Sequence, residues 1–281
     1  MNRITIAAFA AVSVFALVGC KQATVNGNEA NASSNAAAAT GAASIDGTWK
    51  ADVDSVQFDT KPDQMVLQGG TFTCKSCTPS YSIPADGAFH PVSLPYADSD
   101  AVKVNDPHSI TETSKKAGKQ VGETKYTVSA DGNTLTINFT DTSAPGSAAK
   151  GEVTESRVGP APAGAHAISG QWKPTKLSNF NDAALTFTVN VNGDMYHSSS
   201  PDGTSFDAKI GGGDVPVKGD IAGTTVSVTK VGDNSYKVAR KRNGKAVGDT
   251  TYTVGPDGKM SGVGHNAESG STTKWTATKQ S

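Results

Sequence analysis

Apolar and polar residues alternate along most of the chain, and this period of two predicts β-strands rather than helices. The clearest case is the segment 185–191, LTFTVNV, which runs into an Asn-Gly pair at 192–193 that is typical of a tight hairpin turn. Leu135, Ile137 and Phe139 alternate with polar residues in the same way. No segment has the spacing of an amphipathic helix, so the pattern predicts an all-β protein.

The strand-rich part of the chain is repeated. Residues 118–132, GKQVGETKYTVSADG, match 244–258, GKAVGDTTYTVGPDG, at an offset of 126 residues. Residues 45–50, IDGTWK, match 168–173, ISGQWK, at an offset of 123. A period this long indicates a duplicated domain, because solenoid repeats have periods of roughly 20–50 residues.

The repeats predict two β modules, 45–158 and 168–281, joined by a linker at 159–167. The glycines and prolines of that linker are typical of a loop. We expect each module to be an up-and-down antiparallel β-barrel or a strongly bent sheet of roughly eight strands, because closure of a sheet removes its unpaired edges.

The N-terminus has the features of an export signal. Arg3 precedes a mostly apolar stretch at 4–18, which is short for a membrane span and fits a secretory signal peptide. The sequence Leu-Val-Gly-Cys at 17–20 resembles the lipobox of bacterial lipoproteins. The resemblance implies removal of residues 1–19 and acylation of Cys20. The alternative is an ordinary signal peptide in which a cysteine falls at this place by chance.

The segment 20–44 is expected to be the lipidated cysteine followed by a flexible tether, since it is rich in Ala, Asn, Ser and Gly. Lys21 follows the cysteine, where an Asp would resemble an inner-membrane retention signal. We therefore expect a protein held in the outer membrane by the lipid on Cys20, facing the periplasm. A net charge of −1 gives no electrostatic reason to expect nucleic acid as a partner.

A second resemblance concerns the first strand of each module. The Gly-Thr-Trp at 47–49 and the Gly-Gln-Trp at 170–172 resemble the Gly-x-Trp start of the calycins, the lipocalins and fatty-acid-binding proteins. In those families the Trp closes one end of the barrel, and a basic residue of the last strand packs over it. The resemblance implies this role for Trp49 and Trp172, with Arg157 and Lys279, near the two module ends, as the basic residues.

The whole chain also resembles tandem-module lipoproteins of Gram-negative bacteria, including the segment 74–79, Cys-Lys-Ser-Cys-Thr-Pro. Those proteins have no assigned activity, so this resemblance implies an architecture and a location but no chemistry.

Cys74 and Cys77 form an even pair in an oxidising compartment, which predicts a disulfide. A thioredoxin-like role would need the first cysteine at a helix N-terminus, and strand-like residues follow instead. A c-type haem would need a His after Cys77, where Thr78 stands, and zinc would need a second pair of ligands. The five histidines share no metal-ligand spacing, and no nucleophile has a candidate base. The sequence therefore predicts no catalytic residue, metal or cofactor.

Basic residues mark one predicted hairpin in each module. They are Lys115, Lys116 and Lys119 in the first module, and Lys237, Arg240, Lys241, Arg242 and Lys245 in the second. Such residues keep exposed turns soluble. They could also contact an anionic envelope component such as lipopolysaccharide, lipid headgroups or peptidoglycan.

Three functions remain open on the sequence. The first is a non-enzymatic binding protein that holds an apolar or amphipathic small molecule inside its lipocalin-like modules. The second is a structural or interaction lipoprotein that contacts an envelope protein, glycan or lipopolysaccharide through its surface. The third, an enzyme or redox protein, depends on Cys74 and Cys77 alone. For the first function, the binding site would be lined by inward-facing residues of the second module, Leu185, Phe187, Val189, Val226, Val228 and Tyr236.

Overall fold

The computed structural model describes residues 44–281, and nearly all of its regular structure is β-strand. The one helix is a single turn that begins where the alternating pattern predicts a strand, so that strand starts at Thr186 rather than at Leu185. The elements in chain order are β1 Gly47–Asp59, β2 Asp63–Gln68, β3 Thr71–Cys74, β4 Tyr81–Pro84, β5 Asp86–Leu94, β6 Ala97–Asp106, β7 Ser109–Lys116, β8 Lys119–Val128, β9 Thr134–Asp141, β10 Ala149–Val158, β11 Gly170–Ser178, α1 Asp182–Leu185, β12 Thr186–Asn192, β13 Met195–Ser199, β14 Ser205–Lys209, β15 Val215–Pro216, β16 Thr224–Gly232, β17 Ser235–Arg242, β18 Lys245–Val254, β19 Met260–Asn266 and β20 Thr272–Lys279.

The strands form two ten-stranded antiparallel sheets, each curled into a nearly closed barrel. The all-β prediction is confirmed, with two more strands in each sheet than the turn spacing indicated. The first barrel has the order β4-β3-β2-β11-β10-β9-β8-β7-β6-β5, and its two edge strands, β4 and β5, meet at a seam. The second barrel has the order β14-β13-β12-β1-β20-β19-β18-β17-β16-β15, and its seam lies where the edge strand β14 meets β15 and β16.

The sheets do not follow the sequence repeats, because each repeat places its first strand in the barrel of the other. Strand β1 lies between β12 and β20, and β11 lies between β2 and β10. The first barrel is therefore one continuous stretch, 63–178, whereas the second barrel needs both β1 and the C-terminal part of the chain. The predicted linker 159–167 is part of the connection between two neighbouring strands of the first barrel. The chain crosses between barrels at 60–62 and at 179–181.

The exchange changes little in the local contacts, because the two exchanged strands are nearly interchangeable. Trp49 pairs with Phe187 and Trp172 pairs with Asp63 at the same place in the two barrels. Each indole N–H donates to the carbonyl four residues earlier, at 2.7 Å to Ile45 and 2.8 Å to Ile168. Strands β1 and β11 also contact each other, so a connection of three residues is enough to pass from one barrel to the other.

Loops from the two barrels are tightly packed against each other. The Gly146 N–H donates to the Asp202 carbonyl at 2.6 Å, and the Ser147 N–H donates to the Pro201 carbonyl at 2.9 Å. A Cβ on Gly146 would lie 2.4 Å from the Asp202 carbonyl carbon, which no real structure tolerates. Glycine is therefore required where these loops meet.

Residues 1–43 lie outside the described part of the chain, and with them the predicted signal peptide, Cys20 and most of the tether. In residues 44–281 no helix has the length and apolar character needed to cross a membrane.

Candidate functional sites

The Trp at the end of the first barrel is covered by a basic side chain. The Arg157 guanidinium lies 4.0 Å from the centre of the Trp172 ring. It also donates to three backbone carbonyls, those of Gly132 at 2.5 Å, Ser169 at 2.7 Å and Ala167 at 2.7 Å. Arg157 thus fixes the loop that precedes β11 to the end of the barrel. Burial lowers its pKa below the ordinary arginine value.

The second barrel has a looser version of the same arrangement. The Lys279 ammonium lies 5.7 Å from the centre of the Trp49 ring, near the limit for a cation–π contact. In both barrels the basic residue of one repeat covers the Trp of the other repeat, as the exchange of first strands requires.

The six residues proposed to line a ligand site are all buried, with exposed fractions between 0% and 7%. Five lie on strands of the second barrel, and Leu185 lies in α1. Aromatic side chains fill the space around them. The Phe187 ring lies 5.8 Å from the Tyr252 ring and 5.9 Å from the Trp275 ring, centre to centre. The Tyr236 ring lies 5.5 Å from that of Tyr196.

This burial bears on the size of any interior space. A cavity that could hold a ligand would leave the side chains lining it accessible to a water-sized sphere, and ligand sites in proteins are usually several hundred Å³. Val226 and Val228 are exposed by 1% and 0%. The interior beside these residues is therefore close-packed in the manner of an ordinary core.

The Cys74–Cys77 disulfide is formed, with a Cα–Cα distance of 5.5 Å, and it is buried. It closes the loop that follows β3 in the first barrel. Within this loop, the Ser76 hydroxyl accepts a hydrogen bond from the Gln64 N–H at 3.0 Å. The Lys75 N–H donates to the Gln64 carbonyl at 2.9 Å. The loop is thereby attached to the start of β2.

Carboxylates lie inside the first barrel, a feature that the sequence reasoning missed. Glu112 is only 4% exposed and accepts hydrogen bonds from the hydroxyls of Tyr81 at 2.6 Å and Tyr126 at 2.8 Å. Asp100, on the neighbouring strand, is fully buried. Burial, followed by the charge of Glu112, raises the pKa of Tyr81 well above the usual tyrosine value. The sequence did contain a sign of this burial, because the alternating pattern of β7 places Glu112 at one of the inward-facing positions.

A second acidic pair lies where β2, β10 and β11 meet. Glu155 is fully buried, and no hydrogen bond reaches either of its carboxylate oxygens from the described residues. Its neighbour is the partly buried Asp63. Burial and then the Asp63 carboxyl raise the pKa of Glu155 to about 9. Burial also raises the pKa of Asp63 above the usual value for an aspartate.

The second barrel holds a buried cation instead. Arg240 is 7% exposed and donates to the Thr250 hydroxyl at 3.1 Å. The strand register places it at the position of Ser114 in the first barrel, because Arg240 pairs with Val226 as Ser114 pairs with Asp100. Burial lowers the pKa of Arg240 below its ordinary value.

The predicted basic turns differ in how far their charges are neutralised. At the second turn, Lys241 pairs with Asp214 at 2.8 Å and Arg242 with Glu268 at 3.4 Å. At the first turn, the Lys115 ammonium lies 3.6 Å from the centre of the Phe89 ring. Beside it, the Lys116 ammonium donates to the Pro95 carbonyl at 3.2 Å. The Asp98 carboxylate accepts a hydrogen bond from the Ala117 N–H at 2.7 Å.

The described residues contain no cluster of three or more His, Cys, Asp or Glu side chains that could hold a metal ion. Two histidines pair with carboxylates at the surface. His197 lies 2.6 Å from Asp207, which also pairs with Lys218, and His90 lies 2.9 Å from Asp86. The His197 contact links the neighbouring strands β13 and β14, whereas the His90 contact lies within β5.

Comparisons of the chain with protein-family models, with curated proteins and with solved structures give no match. The resemblance to calycins and to tandem-module lipoproteins therefore stays an expectation from the sequence, and the barrel architecture is the part of it that the structure shares.

Proposed function

We propose that the protein is a lipid-anchored lipoprotein of the bacterial outer membrane that acts through the surface of two solid barrels, in contact with an envelope component. The observation that supports a surface role is the close packing of the residues that would have lined a ligand. A small-molecule carrier needs interior volume, and the aromatic side chains of the second barrel occupy that volume. The membrane anchor would be the lipid on Cys20.

Native mass spectrometry of the protein purified from bacterial envelopes without denaturant tests the solid-barrel proposal. We expect the mass of the polypeptide and its covalent lipid, less two hydrogens for the Cys74–Cys77 disulfide. An additional mass that is lost on unfolding would contradict the proposal and would restore the small-molecule binding protein, with the mass giving the class of ligand.

The charges of the first basic turn favour an anionic partner. We choose lipopolysaccharide as the probe for that partner. The lysines of this turn, Lys115, Lys116 and Lys119, form no ion pair with a carboxylate in the described residues. In the second hairpin, Lys237, Lys241 and Arg242 each pair with a carboxylate. Each lysine near an anionic surface contributes about 1 kcal/mol. This turn therefore provides the stronger attraction of the two.

The test compares two triple variants in binding to vesicles that contain lipopolysaccharide. Replacing the three lysines of the first turn by Gln should weaken binding at least about tenfold. The matched replacement of Lys241, Arg242 and Lys245 by Gln should weaken it less, because two of those charges already face carboxylates. Unchanged binding in the first variant, with both variants folded as judged by their melting temperatures, would exclude this turn as the contact.

A further inference from the structure

The two barrels differ at one edge, which is covered in the second barrel and open in the first. Strand β14, at the edge of the second barrel, pairs with β13 on one side. On its other side, the Ser205 N–H donates to the Lys218 carbonyl at 3.1 Å, and the Lys218 N–H donates to the Ser205 carbonyl at 2.8 Å. Strand β4, at the edge of the first barrel, pairs with β3 and with no other strand of residues 44–281. An edge with free backbone groups is a template for an added strand.

The strand register shows which residues of the two edges are equivalent. Each edge is reached from the Gly-x-Trp strand through the same series of pairs, which is Gly170, Met65, Cys74 and Tyr81 in the first barrel and Gly47, Val189, Ser198 and Phe206 in the second. Ser80 therefore takes the place of Ser205, and Ser82 takes that of Asp207. Ser80 is exposed, and no backbone hydrogen bond joins it to the rest of the described chain. The two bonds that Ser205 makes to its covering segment are thus open at Ser80.

A depression of about 270 Å³ lies along this open edge. Its lining comes from β3, β4 and the loop between them, and consists of Thr73, Lys75, Ser80, Tyr81 and Ser82. Strand β5, the neighbour of β4 across the seam, contributes no residue to this lining and pairs with β6 instead. The place that Lys218 occupies in the second barrel is therefore open to solvent in the first.

The two edges favour opposite charges in the segment that covers them. In the second barrel the covering Lys218 places its ammonium 3.0 Å from the Asp207 carboxylate. In the first barrel the equivalent position is the neutral Ser82, whose hydroxyl is hydrogen-bonded to that of Thr73 at 2.7 Å. The charge of the lining is that of Lys75, which is exposed and forms no ion pair with a carboxylate among the described residues. An acidic side chain would therefore complement this edge, whereas a basic one complements the edge of the second barrel.

We propose that the open edge of β4 binds an extended, acidic segment of a partner protein, which adds to the sheet as the segment at Lys218 does in the second barrel. The added strand would form the two backbone hydrogen bonds that are open at Ser80, and its carboxylate would lie beside the Lys75 ammonium. Strand addition of this kind gains affinity from main-chain hydrogen bonds and specificity from the side chains at the edge. The site contains none of the lysines of the first basic turn, so it adds a protein partner to the anionic one proposed above.

Two peptides copied from the covering segment test this site on the isotopically labelled full chain. The first is residues 213–220, GDVPVKGD, with the change Lys218→Glu, and the second keeps the lysine. We expect the glutamate peptide to shift the NMR amide signals of Ser80 and Ser82. The lysine peptide should bind at least about fivefold more weakly, because the charge that faces Lys75 is reversed. A glutamate peptide that leaves these two signals unchanged would overturn the proposal, as would equal affinities for the two peptides.

A charge exchange separates this edge from unspecific attraction between charges. Lys75→Glu should reverse the preference, so that the lysine peptide binds more tightly than the glutamate peptide. Lys125→Glu, at an exposed lysine on β8, is the matched control and should keep the preference of the wild type. Melting temperatures show whether both variants are folded. The same preference in both variants would contradict the role given to Lys75. The lipopolysaccharide test replaces other residues, so a failure of one proposal is distinguishable from a failure of the other.

Discussion

Single residues distinguish the two barrels more sharply than their common fold does. The same interior places hold Asp63 and Glu155 in one barrel and Phe187 and Ala277 in the other. An isolated acidic pair in a core is costly unless it is protonated or satisfied by donors. The alternating pattern marks these positions as inward-facing, but it cannot say that a carboxyl there will carry a proton, because that depends on which strands become neighbours.

Glu155 should make stability fall as the pH rises. Its pKa is raised in the folded protein, to about 9, so the native state binds a proton that the unfolded chain releases at lower pH. The contribution is fully present below the unfolded pKa of about 4.3 and is lost as the pH rises toward 9, by at most about 1.4 kcal/mol per pH unit. Urea unfolding of Glu155→Gln at several pH values should show a flatter dependence than wild type. An identical pH slope in both proteins would contradict this.

Arg157 and Lys279 should differ in their effect on stability, although both cover a Trp. Arg157 donates to three carbonyls, whereas Lys279 lies at the edge of cation–π distance. We expect Arg157→Ala to lower the free energy of unfolding by about 2–4 kcal/mol and Lys279→Ala by less than about 1 kcal/mol. Chemical denaturation measures both values, and equal losses would show that the carbonyl contacts of Arg157 add nothing.

At the scale of elements, the strands and turns follow from the sequence, whereas the contacts between loops do not. The alternation that predicts the strand at 185–191 also gives its hairpin, and Gly193 has the positive φ of +61° that the turn needs. The loop that contains Gly146 has no periodic pattern. Its partner, the loop at Pro201 and Asp202, is distant in sequence, so only the assembled barrels bring the two backbones together.

Gly146→Ala tests that loop contact. Its Cβ would meet the Asp202 backbone at 2.4 Å, so the loops must separate and lose two hydrogen bonds. We expect a loss of about 1–3 kcal/mol in the free energy of unfolding. Gly213→Ala is the matched control, because no atom lies within 4 Å of its added Cβ and its φ is not positive. Similar stabilities for the two variants would show that the loops do not hold the barrels together.

At the scale of the molecule, the sequence predicts two similar barrels but not the exchange of their first strands. The motif at 47–50, GTWK, and the motif at 170–173, GQWK, offer nearly the same contacts to either barrel. The path of the chain at 60–62 decides which barrel each first strand joins. A segment of three residues can form either a hairpin within one barrel or a crossing between the two barrels. The repeat therefore identifies the building unit, whereas the partner of each first strand appears only in the three-dimensional structure.

The exchange makes the two halves of the chain inseparable without unfolding a barrel. Strand β1 contributes Trp49 to the core of the second barrel, and the first barrel takes β11 in return. A pull on the chain at its N-terminal side, before β1, would act on the second barrel, because β1 belongs to that barrel.

A cysteine cross-link tests the pairing across repeats most directly. The hydroxyls of Thr48 and Thr188 lie 2.9 Å apart on paired strands, so Thr48→Cys with Thr188→Cys should form a disulfide. With a protease site inserted in the exposed loop at 160–163, the cut and denatured halves should stay joined until reductant is added. The comparison pair is Thr48→Cys with Gln64→Cys, which pairing within one repeat would bring together, and it should not cross-link. Halves that separate without reductant, together with a bond between the cysteines at 48 and 64, would contradict the strand exchange.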